Sequence, residues 1–375
     1  MKIGIDATNL KQGGGISHLL NILSHFNPTA YNTDKIIIWA SQDILAKIDN
    51  YPWLEKRTDF LLNLSLIHRY IWFLRKSKKE FRNNCDILFS PGGLYCGNFT
   101  PYVTMSRNML LFDKKELKKS GVILRCKLLL SRKLQIHSLK KSSGIIFISD
   151  YAKNIITAEL NLASKPIKKI SHGISSRFRM VPEKREFCWK KAINLLYVSH
   201  IYEYKHPWNV VLATEILKKK GYNVKLNIIG GGNSSAQHKL NRIIQQCDPN
   251  GNYIQYLGLQ SYENIDKSYK EADIFVYAST CENMPNILIE AMSAAMPIAC
   301  SDSQPMPEFL KDSGIYFNAL DIHDIANRIE ELINSPELCK ELSQKAFDYS
   351  KQYDWHQTSE QTFKFIQDVF CFYKK

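Results

Sequence analysis

The chain has 375 residues, of which 45% are hydrophobic and 23% charged, and its formal net charge is +14. This length suffices for two domains with separate cores, and the composition is that of a globular rather than a disordered protein. Nine cysteines lie scattered without a C-x-x-C pair, which argues against a zinc site or a disulfide scaffold and favours a reducing compartment. The sequence shows neither a signal peptide nor a run of about 18 apolar residues, so no membrane-spanning segment is expected.

Short β-rich segments alternate with amphipathic helical segments in the first half of the chain. The predicted strands there are Lys2–Asp6, Lys35–Ala40, Asp86–Ser90, Tyr102–Ser106 and Gly144–Ser149. A glycine loop at Gly13–Gly15 follows the first strand and precedes a helix with apolar residues on one face. This alternation predicts a mostly parallel sheet with helices on both faces.

The alternation restarts after a polar segment at residues 175–191, which we interpret as a linker. The predicted strands that follow are Asn194–Ser199, Val224–Gly230, Ile254–Gly258, Asp273–Ser279 and Pro297–Ser301. We therefore predict an α/β protein with two Rossmann-like domains at 1–180 and 190–355, and a terminal helix at 356–375 that packs back on the first domain. Ligands of such sheets bind at the carboxyl ends of the strands, so we expect the site in a central cleft that both sheets face.

Positive charge is concentrated in the N-terminal half of the chain. Lys114–Lys141 contains ten Lys or Arg and one Glu, with leucines at helical spacing, and aromatic residues adjoin basic ones in Arg69–Arg82. Two interpretations remain open: these segments bind an anionic membrane surface, or each packs an apolar face in the core and exposes a basic face. Nucleic acid is not an expected partner, because the sequence has neither zinc-finger spacing nor an RNA-recognition signature.

The segment CENMPNILIEAM, Cys281–Met292, carries two glutamates eight positions apart, Glu282 and Glu290. Glu282 leaves a predicted strand, and Glu290 lies in a helix that we expect to begin at Pro285. The rise of this helix separates the carboxylates too far for one proton or one metal ion, and the free N–H groups between them favour an anion. The layout fits an extended ligand with hydroxyls at each end and phosphate in the middle. The alternative is that Glu282 complements the helix dipole and Glu290 is a surface residue.

A lysine and the glycine loop are further candidates for phosphate binding. Lys205 follows the first strand of the second half, where its ammonium group can neutralise a diphosphate or simply be solvated. The loop at Gly13–Gly15 allows close approach of the backbone to a ligand. The sequence contains no D-x-D pair, so a metal ion held by that motif is not expected.

In this context the segment ENMPNILIE resembles the E-x7-E signature of retaining glycosyltransferases with the GT-B fold, specifically family 4. GGGISHLL, SHGI, FISDYAK and GIYFNALDIHDIANRIEELI are similar to that family in matching order, over nearly the whole chain. LFSPGGLYCGNFTPYVTMSRNMLLFD is similar to members that build bacterial surface polysaccharides such as O-antigen and capsule. The resemblance implies transfer of a hexose from a GDP- or UDP-linked sugar, without metal or cofactor, to a lipid-linked or oligosaccharide acceptor. It also implies a peripheral location on the cytoplasmic face of the cell membrane.

The resemblance implies that the first domain, 1–180, binds the acceptor and that the second, 190–355, binds the nucleotide sugar. Glu282 would face the donor sugar, and Glu290 would bind the ribose hydroxyls. Lys205 would stabilise the departing diphosphate. The residues whose backbone would help to hold sugar and phosphate are Asn283, Met284, Pro285 and Asn286.

Other positions either match the family or depart from it. Gly14 and Gly15 would approach the donor phosphates from the first domain. His200 stands where the family usually has a phosphate-binding arginine. The family's histidine after the fourth strand is absent, which leaves Arg107 or Asn108 as its substitute, with Arg107 the catalytic candidate.

Three points stay open at this stage. His172 of SHGI is interpreted either as a turn residue or as a ligand contact. The protein could instead be a soluble sugar-phosphate or sucrose-type synthase of the same fold. It could also be a degenerate GT-B protein that binds a ligand without turnover.

Overall fold

The computed structural model describes residues 1–10, 13–31, 33–119, 121–182, 192–261 and 263–374. The chain divides into two compact units: Met1–Gly173 with Tyr353–Lys375 form unit 1, and Ile174–Gln352 form unit 2. The terminal segment, which the sequence predicts to pack on the first domain, thus belongs to unit 1. Residues 183–191 of the predicted linker, including the predicted boundary at 190, lie outside the described residues.

Unit 1 is built on a parallel sheet of hydrophobic strands. Its described strands are β1 (Lys2–Asp6), β2 (Lys35–Trp39), β3 (Leu54–Arg57), β4 (Ile87–Ser90), β5 (Tyr102–Ser106), β6 (Gly144–Phe147) and β7 (Ile167–Lys169). They lie in the order β3-β2-β1-β4-β5-β6-β7. The central strand β1 is apolar because it is covered on both faces, and its Ile3 pairs with Ile36 of β2 and Ile87 of β4. The strand order reverses between β1 and β4, so their carboxyl ends flank a switch point.

Helices cover this sheet. Those described are α1 (Gly14–Ser24), α2 (Gln42–Leu45), α3 (Leu66–Trp72), α4 (Lys78–Asn84), α5 (Lys114–Lys119), α6 (Val122–Lys141), α7 (Asp150–Leu160) and the terminal helix (Trp355–Lys374). A π-helical turn, Phe73–Ser77, joins α3 to α4. The terminal helix is fixed to unit 1 by packing and by a hydrogen bond of 2.7 Å from Ser359 Oγ to the Ile22 carbonyl. Its Val369 lies so close to β6 that a Cβ on Gly144 would come within 2.6 Å of it.

Unit 2 repeats the same architecture. Its described strands are β8 (Ile193–Val198), β9 (Val224–Ile229), β10 (Ile254–Tyr256), β11 (Ile274–Tyr277), β12 (Ile298–Ser301) and β13 (Ile315–Phe317), in the order β10-β9-β8-β11-β12-β13. Its described helices are α8 (Pro207–Lys219), α9 (Ser234–Cys247), α10 (Ile265–Glu271), α11 (Asn286–Ser293), α12 (Met306–Leu310), α13 (Ile322–Asn334) and α14 (Pro336–Ser350). All the strand pairs are parallel, and the order reverses between β8 and β11.

The predicted fold class, α/β with two Rossmann-like parallel sheets, is confirmed. The sequence missed the strands β3, β7 and β13, because all three are short and two of them are polar or charged at most positions. The expected start of the helix after Glu282 is wrong by one residue: Pro285 is the N-cap, with φ −82° and ψ 79°, and α11 begins at Asn286. Among the described helices, none combines the length and the apolar composition that crossing a membrane requires.

Candidate functional site

The switch point of unit 2 brings together two residues that lie far apart in the sequence. Lys205 ends a 3-10 turn after β8, and Glu282 lies in the loop after β11. Since β8 and β11 are neighbours in the sheet, with Leu195 paired to Ile274, both side chains reach the same edge. Lys205 and Glu282 form an ion pair whose side chains are only 8% and 13% exposed.

A buried tyrosine completes this pair. Tyr277, the last residue of β11, donates its hydroxyl to Glu282 Oε1 and accepts from Lys205 Nζ at 3.3 Å. Burial first, and the Glu282 carboxylate second, raise the pKa of Tyr277 well above its ordinary value, so the hydroxyl stays protonated. The Lys205 carbonyl accepts from Tyr197 at 2.6 Å, which fixes the backbone beneath the ammonium group. We call Lys205, Tyr277 and Glu282 the charged triad.

The charged triad can act as an anion site. Lys205 Nζ lies 5.4 Å from the ring centroid of Tyr204 and 5.6 Å from that of Tyr277, which adds cation–π attraction to the ion pair. Removing one partner of such a pair leaves the other charge buried and uncompensated, typically at a cost of about 3–5 kcal/mol. An anionic ligand that arrives here therefore competes with Glu282 for an ammonium group that is already desolvated.

The second glutamate is held separately. Glu290 lies on α11, is 6% exposed, and accepts a hydrogen bond of 3.0 Å from the Tyr269 hydroxyl. The alternative that Glu290 is a surface residue is therefore wrong, because α11 packs against α12 and α14 and is covered on most sides. Asn283 and Met284 are buried in the loop between the two glutamates, and Asn286 begins the helix.

His200 lies five residues before Lys205 in the chain and is exposed. It follows β8, and its ring centroid lies 6.0 Å from that of Tyr202. The adjacent backbone is tightly packed, because a Cβ on Gly230, at φ +146°, would lie 1.7 Å from the Ser199 carbonyl oxygen. This close approach requires glycine after β9.

In unit 1 the predicted residues Gly14, Gly15 and Arg107 gather at the carboxyl edge of the sheet. Gly13 has φ +73°, and α1 begins at Gly14. A Cβ on Gly15 would lie 2.9 Å from Arg107 Nη1, so the guanidinium group packs against the start of α1. Burial lowers the pKa of Arg107 to about 10, which still leaves it charged at neutral pH.

Two histidines pack beside Arg107. The rings of His18 and His172 lie 4.9 Å apart, and Trp355 lies 6.0 Å and 5.8 Å from them respectively. Burial, then His172 and Arg107, lower the pKa of His18 well below its ordinary value, so that it is neutral. From the sequence, His172 was interpreted either as a turn residue or as a ligand contact. In the structure its side chain is 2% exposed and packs against the rings of His18 and Trp355.

Sequence reasoning missed Asp6, which ends β1 and is fully buried. Its Oδ1 accepts from the Thr8 N–H at 3.2 Å and from the Thr8 hydroxyl at 2.7 Å, and the Ser90 hydroxyl lies 3.4 Å from Oδ2. Burial raises the pKa of Asp6 to about 6 despite these bonds. The available signal was an acidic residue at the carboxyl end of an otherwise apolar strand. Tyr269 and Tyr277 were also missed, because a tyrosine in an apolar segment is indistinguishable from core by sequence alone.

The described residues contain no cluster of three or more His, Cys, Asp and Glu side chains that could hold a metal ion. Within unit 2, Lys205 forms an ion pair with Glu282. Within unit 1, the Arg107 guanidinium group packs against Gly15. The structure also places Glu290 on a helix that starts four residues after Glu282.

Comparison with known proteins adds a family match for part of the chain. Residues 183–349 match the family model described as "Glycosyl transferases group 1". The chain is 23% identical over 233 residues to the O-antigen chain mannosyltransferase B of Escherichia coli, which covers 60% of this chain and 60% of that protein. The chain thus spans less than two thirds of the length of this curated relative.

Solved structures resemble the chain over nearly its whole length. Sucrose-phosphate synthase of Thermosynechococcus elongatus superposes with a TM-score of 0.75 at 13% identity, covering 99% of both chains. HepE of Anabaena, in complex with UDP-glucose, gives 0.70 at 15% identity, covering 97% of this chain and 98% of that one. At such identities the likeness establishes the fold, which is that of the GT-B enzymes, and not the reaction.

Asp6 makes the stability of unit 1 depend on pH. In the unfolded chain its carboxyl ionises near the ordinary value of 3.8, and in the folded protein only near 6. The folded state therefore holds the proton longer, and stability falls as pH rises from about 4 to 6. Asp6→Asn, which keeps the acceptor for Thr8, should gain up to about 3 kcal/mol of unfolding free energy relative to wild type between pH 4 and 7. Denaturant unfolding at several pH values measures this, and a difference that does not change with pH would contradict the assignment.

Proposed function

We propose that the protein is a retaining, metal-independent glycosyltransferase of the E-x7-E type, family 4. It would move a hexose from a nucleotide diphosphate sugar to a lipid-linked or oligosaccharide acceptor in bacterial surface polysaccharide synthesis. The observation that carries this proposal is the charged triad at the switch point of unit 2. The match of residues 183–349 to the group 1 glycosyltransferases and the O-antigen mannosyltransferase relative support it.

The donor would lie along the carboxyl edge of the unit 2 sheet. Its ribose would bind Glu290, whose carboxylate is oriented by the Tyr269 hydroxyl 3.0 Å away. Its diphosphate would meet Lys205 and the first N–H groups of α11, which carry the positive end of the helix dipole. The structural neighbour solved with UDP-glucose supports a nucleotide sugar as the donor class.

Donor binding would rearrange the charged triad. The diphosphate takes over the Lys205 ammonium group, and the Glu282 carboxylate then turns to the hydroxyls of the sugar. Tyr277 limits this movement because its hydroxyl remains bonded to Glu282 Oε1. The cost of desolvating Lys205 has already been met on folding, so the site is preorganised for negative charge.

Charge develops on the leaving diphosphate as the bond between the anomeric carbon and phosphate oxygen breaks. The acceptor hydroxyl attacks the same face of the sugar, and its proton passes to the leaving phosphate oxygen. Lys205 stabilises the developing negative charge. In unit 1 the further candidates for ligand contacts are Gly14, Gly15 and Arg107, and in unit 2 the further candidate for a phosphate contact is His200.

We further propose that unit 1 binds the anionic cytoplasmic face of the cell membrane. Most side chains in the first half of α6 are exposed, with Val122 80%, Ile123 76% and Leu130 61% exposed. Arg125 and Lys127 alternate with these apolar residues. Exposed apolar side chains beside basic ones suit an interface between water and anionic lipid, where the lipid-linked acceptor is found.

Donor binding tests the class of reaction. Among GDP- and UDP-sugars without added metal, one should raise the melting temperature of the protein. Glu290→Gln should weaken that donor's affinity at least about tenfold, because hydrogen bonds to a charged group contribute about 1.5–3 kcal/mol. Calorimetric titration gives the affinity, with Glu341→Gln on the exposed face of α14 as a control. An unchanged affinity in Glu290→Gln would refute the ribose assignment.

Lys205→Met tests the diphosphate role. Turnover should fall at least about tenfold, since 1.4 kcal/mol of lost transition-state stabilisation already has that effect. The variant leaves Glu282 unpaired, so its melting curve must show that it is folded at the assay temperature. Lys345→Met, which removes an exposed ammonium group of α14, should keep wild-type kinetics. If Lys205→Met were folded and fully active, the role of Lys205 would be wrong.

Sedimentation with vesicles tests the membrane proposal. The protein should pellet with vesicles of phosphatidylglycerol and not with those of phosphatidylcholine, and Ile123→Asp with Leu130→Asp should abolish pelleting. Leu320→Asp changes an equally exposed leucine in unit 2 and should leave pelleting intact. Equal binding to both vesicle types, or none to either, would oppose the proposal.

A further inference from the structure

Unit 1 contains a pocket that none of the roles above uses. It has a volume of about 440 Å³ and is lined by Trp39, Lys56, Arg57, Thr58, Asp59, Trp72 and Glu80. The residues come from the carboxyl ends of β2 and β3 and from α3 and α4, so the pocket lies at the carboxyl edge of the sheet, on the β2 side of the switch point between β1 and β4. The volume falls in the range of about 300–1,000 Å³ that small-molecule sites occupy.

The charges of this pocket are balanced. Lys56 and Arg57 carry two positive charges, and Asp59 and Glu80 carry two negative ones. Partial burial acts to raise the pKa of Asp59, but Lys76, the Leu61 N–H and Trp72 outweigh it and hold that pKa below its ordinary value. Asp59 is therefore ionised at neutral pH. A lining without net charge favours neither a phosphate nor a cation and suits a neutral, polar ligand.

The polar groups are planar and suited to pairs of hydroxyls. Arg57 donates from Nε to Glu55 at 2.5 Å and from Nη1 to Glu80 at 3.4 Å, which leaves Nη2 without an acceptor among the described residues. The side chains of Arg57 and Glu80 are 30% and 42% exposed. A guanidinium group that donates beside a carboxylate that accepts can bind two neighbouring hydroxyls of one ring.

Two indole rings border the pocket and are themselves almost fully buried, 2% exposed for Trp39 and 1% for Trp72. Trp39 and Trp72 line the pocket, and the Arg57 guanidinium carbon lies 5.8 Å from the Trp39 ring centroid, which holds the guanidinium group in place. The Trp39 indole N–H is buried and has no hydrogen-bond acceptor among the described residues. An unsatisfied buried donor is costly, and an acceptor that reached the ring from the pocket side would relieve that cost.

We propose that this pocket binds a sugar ring of the acceptor glycan, an inference that rests on the proposed transferase function. A sugar is neutral, rich in hydroxyl pairs and apolar on its C–H faces, and each of these properties has its counterpart in the pocket. The next residue after Asp59 is Phe60, which is 75% exposed, and Leu74 beyond Trp72 is 64% exposed. These exposed apolar side chains on the segments that build the pocket suit the lipid end of a lipid-linked acceptor.

The test measures saccharide binding directly, without donor. Methyl α-mannoside, the α-linked mannobioses and the matching glucosides would be titrated into the full-length protein and followed by saturation-transfer NMR and calorimetry. At least one saccharide should bind saturably. Arg57→Gln and Trp39→Phe should each weaken that binding about tenfold or more, and Arg328→Gln, an exposed ion-paired arginine of unit 2, should not. Melting curves show whether each variant is folded, and Trp39→Phe, the conservative change, keeps the core filled.

The possible outcomes test saccharide binding by the pocket and the transferase reaction separately. Absence of binding by every saccharide, or binding that Arg57→Gln and Trp39→Phe leave unchanged, would overturn the pocket even if donor binding and turnover were normal. Saccharide binding that these variants weaken, in a protein that binds no nucleotide sugar, would support the pocket and refute the transferase. In the active enzyme, Arg57→Gln should raise the KM for the acceptor about tenfold and leave the KM for the donor unchanged.

Discussion

The ion pair between Lys205 and Glu282 is the interaction on which the site in unit 2 depends. Two charges with side chains 8% and 13% exposed persist only because they neutralise each other and because Tyr277 bonds to both. Their meeting requires β8 and β11 to be neighbours, although 79 positions separate the paired residues Leu195 and Ile274 in the chain. The strand order of unit 2 is therefore what turns two distant residues into one site.

The same topology in unit 1 produces a different environment. Its switch point holds Arg107 against the start of α1, with a neutral His18 beside it and a buried Asp6 at the end of β1. These groups are not paired with one another as Lys205 and Glu282 are: desolvation keeps His18 uncharged and favours the protonated form of Asp6. Under the proposed function, the unit that binds an anionic donor needs compensated positive charge, and the unit that receives a neutral glycan needs hydroxyl-binding groups. The chemistry of the two units differs in this direction.

The sequence predicted those features that follow from local periodicity. Apolar strands such as β1 and β8 and the helix after Glu282 were predictable because their patterns are strong and their flanking glycine and proline residues are informative. The charged strand β3, LEKR, was not, because its place at the edge of the sheet is decided by pairing with β2. Glu290 was placed on a polar stripe by helical spacing alone, and spacing says nothing of α12 and α14, which cover that helix. The part played by the Tyr277 hydroxyl likewise depends on two residues from other segments.

Charge balance gives a way to assign ligands to the different surfaces of unit 1. The first half of α6 carries basic and apolar residues and no acidic ones, so its attraction is for an anionic, apolar surface. The pocket lined by Trp39 and Arg57 has equal numbers of acidic and basic groups. Its charges therefore attract a charged ligand little, and its polar groups act mainly by orienting a ligand through hydrogen bonds. A lipid-linked glycan presents both kinds of chemistry in one molecule. Unit 1 carries groups suited to both on one domain, and this combination supports the proposed membrane-held acceptor over a small soluble sugar phosphate, whose charge the pocket has no excess cation to meet.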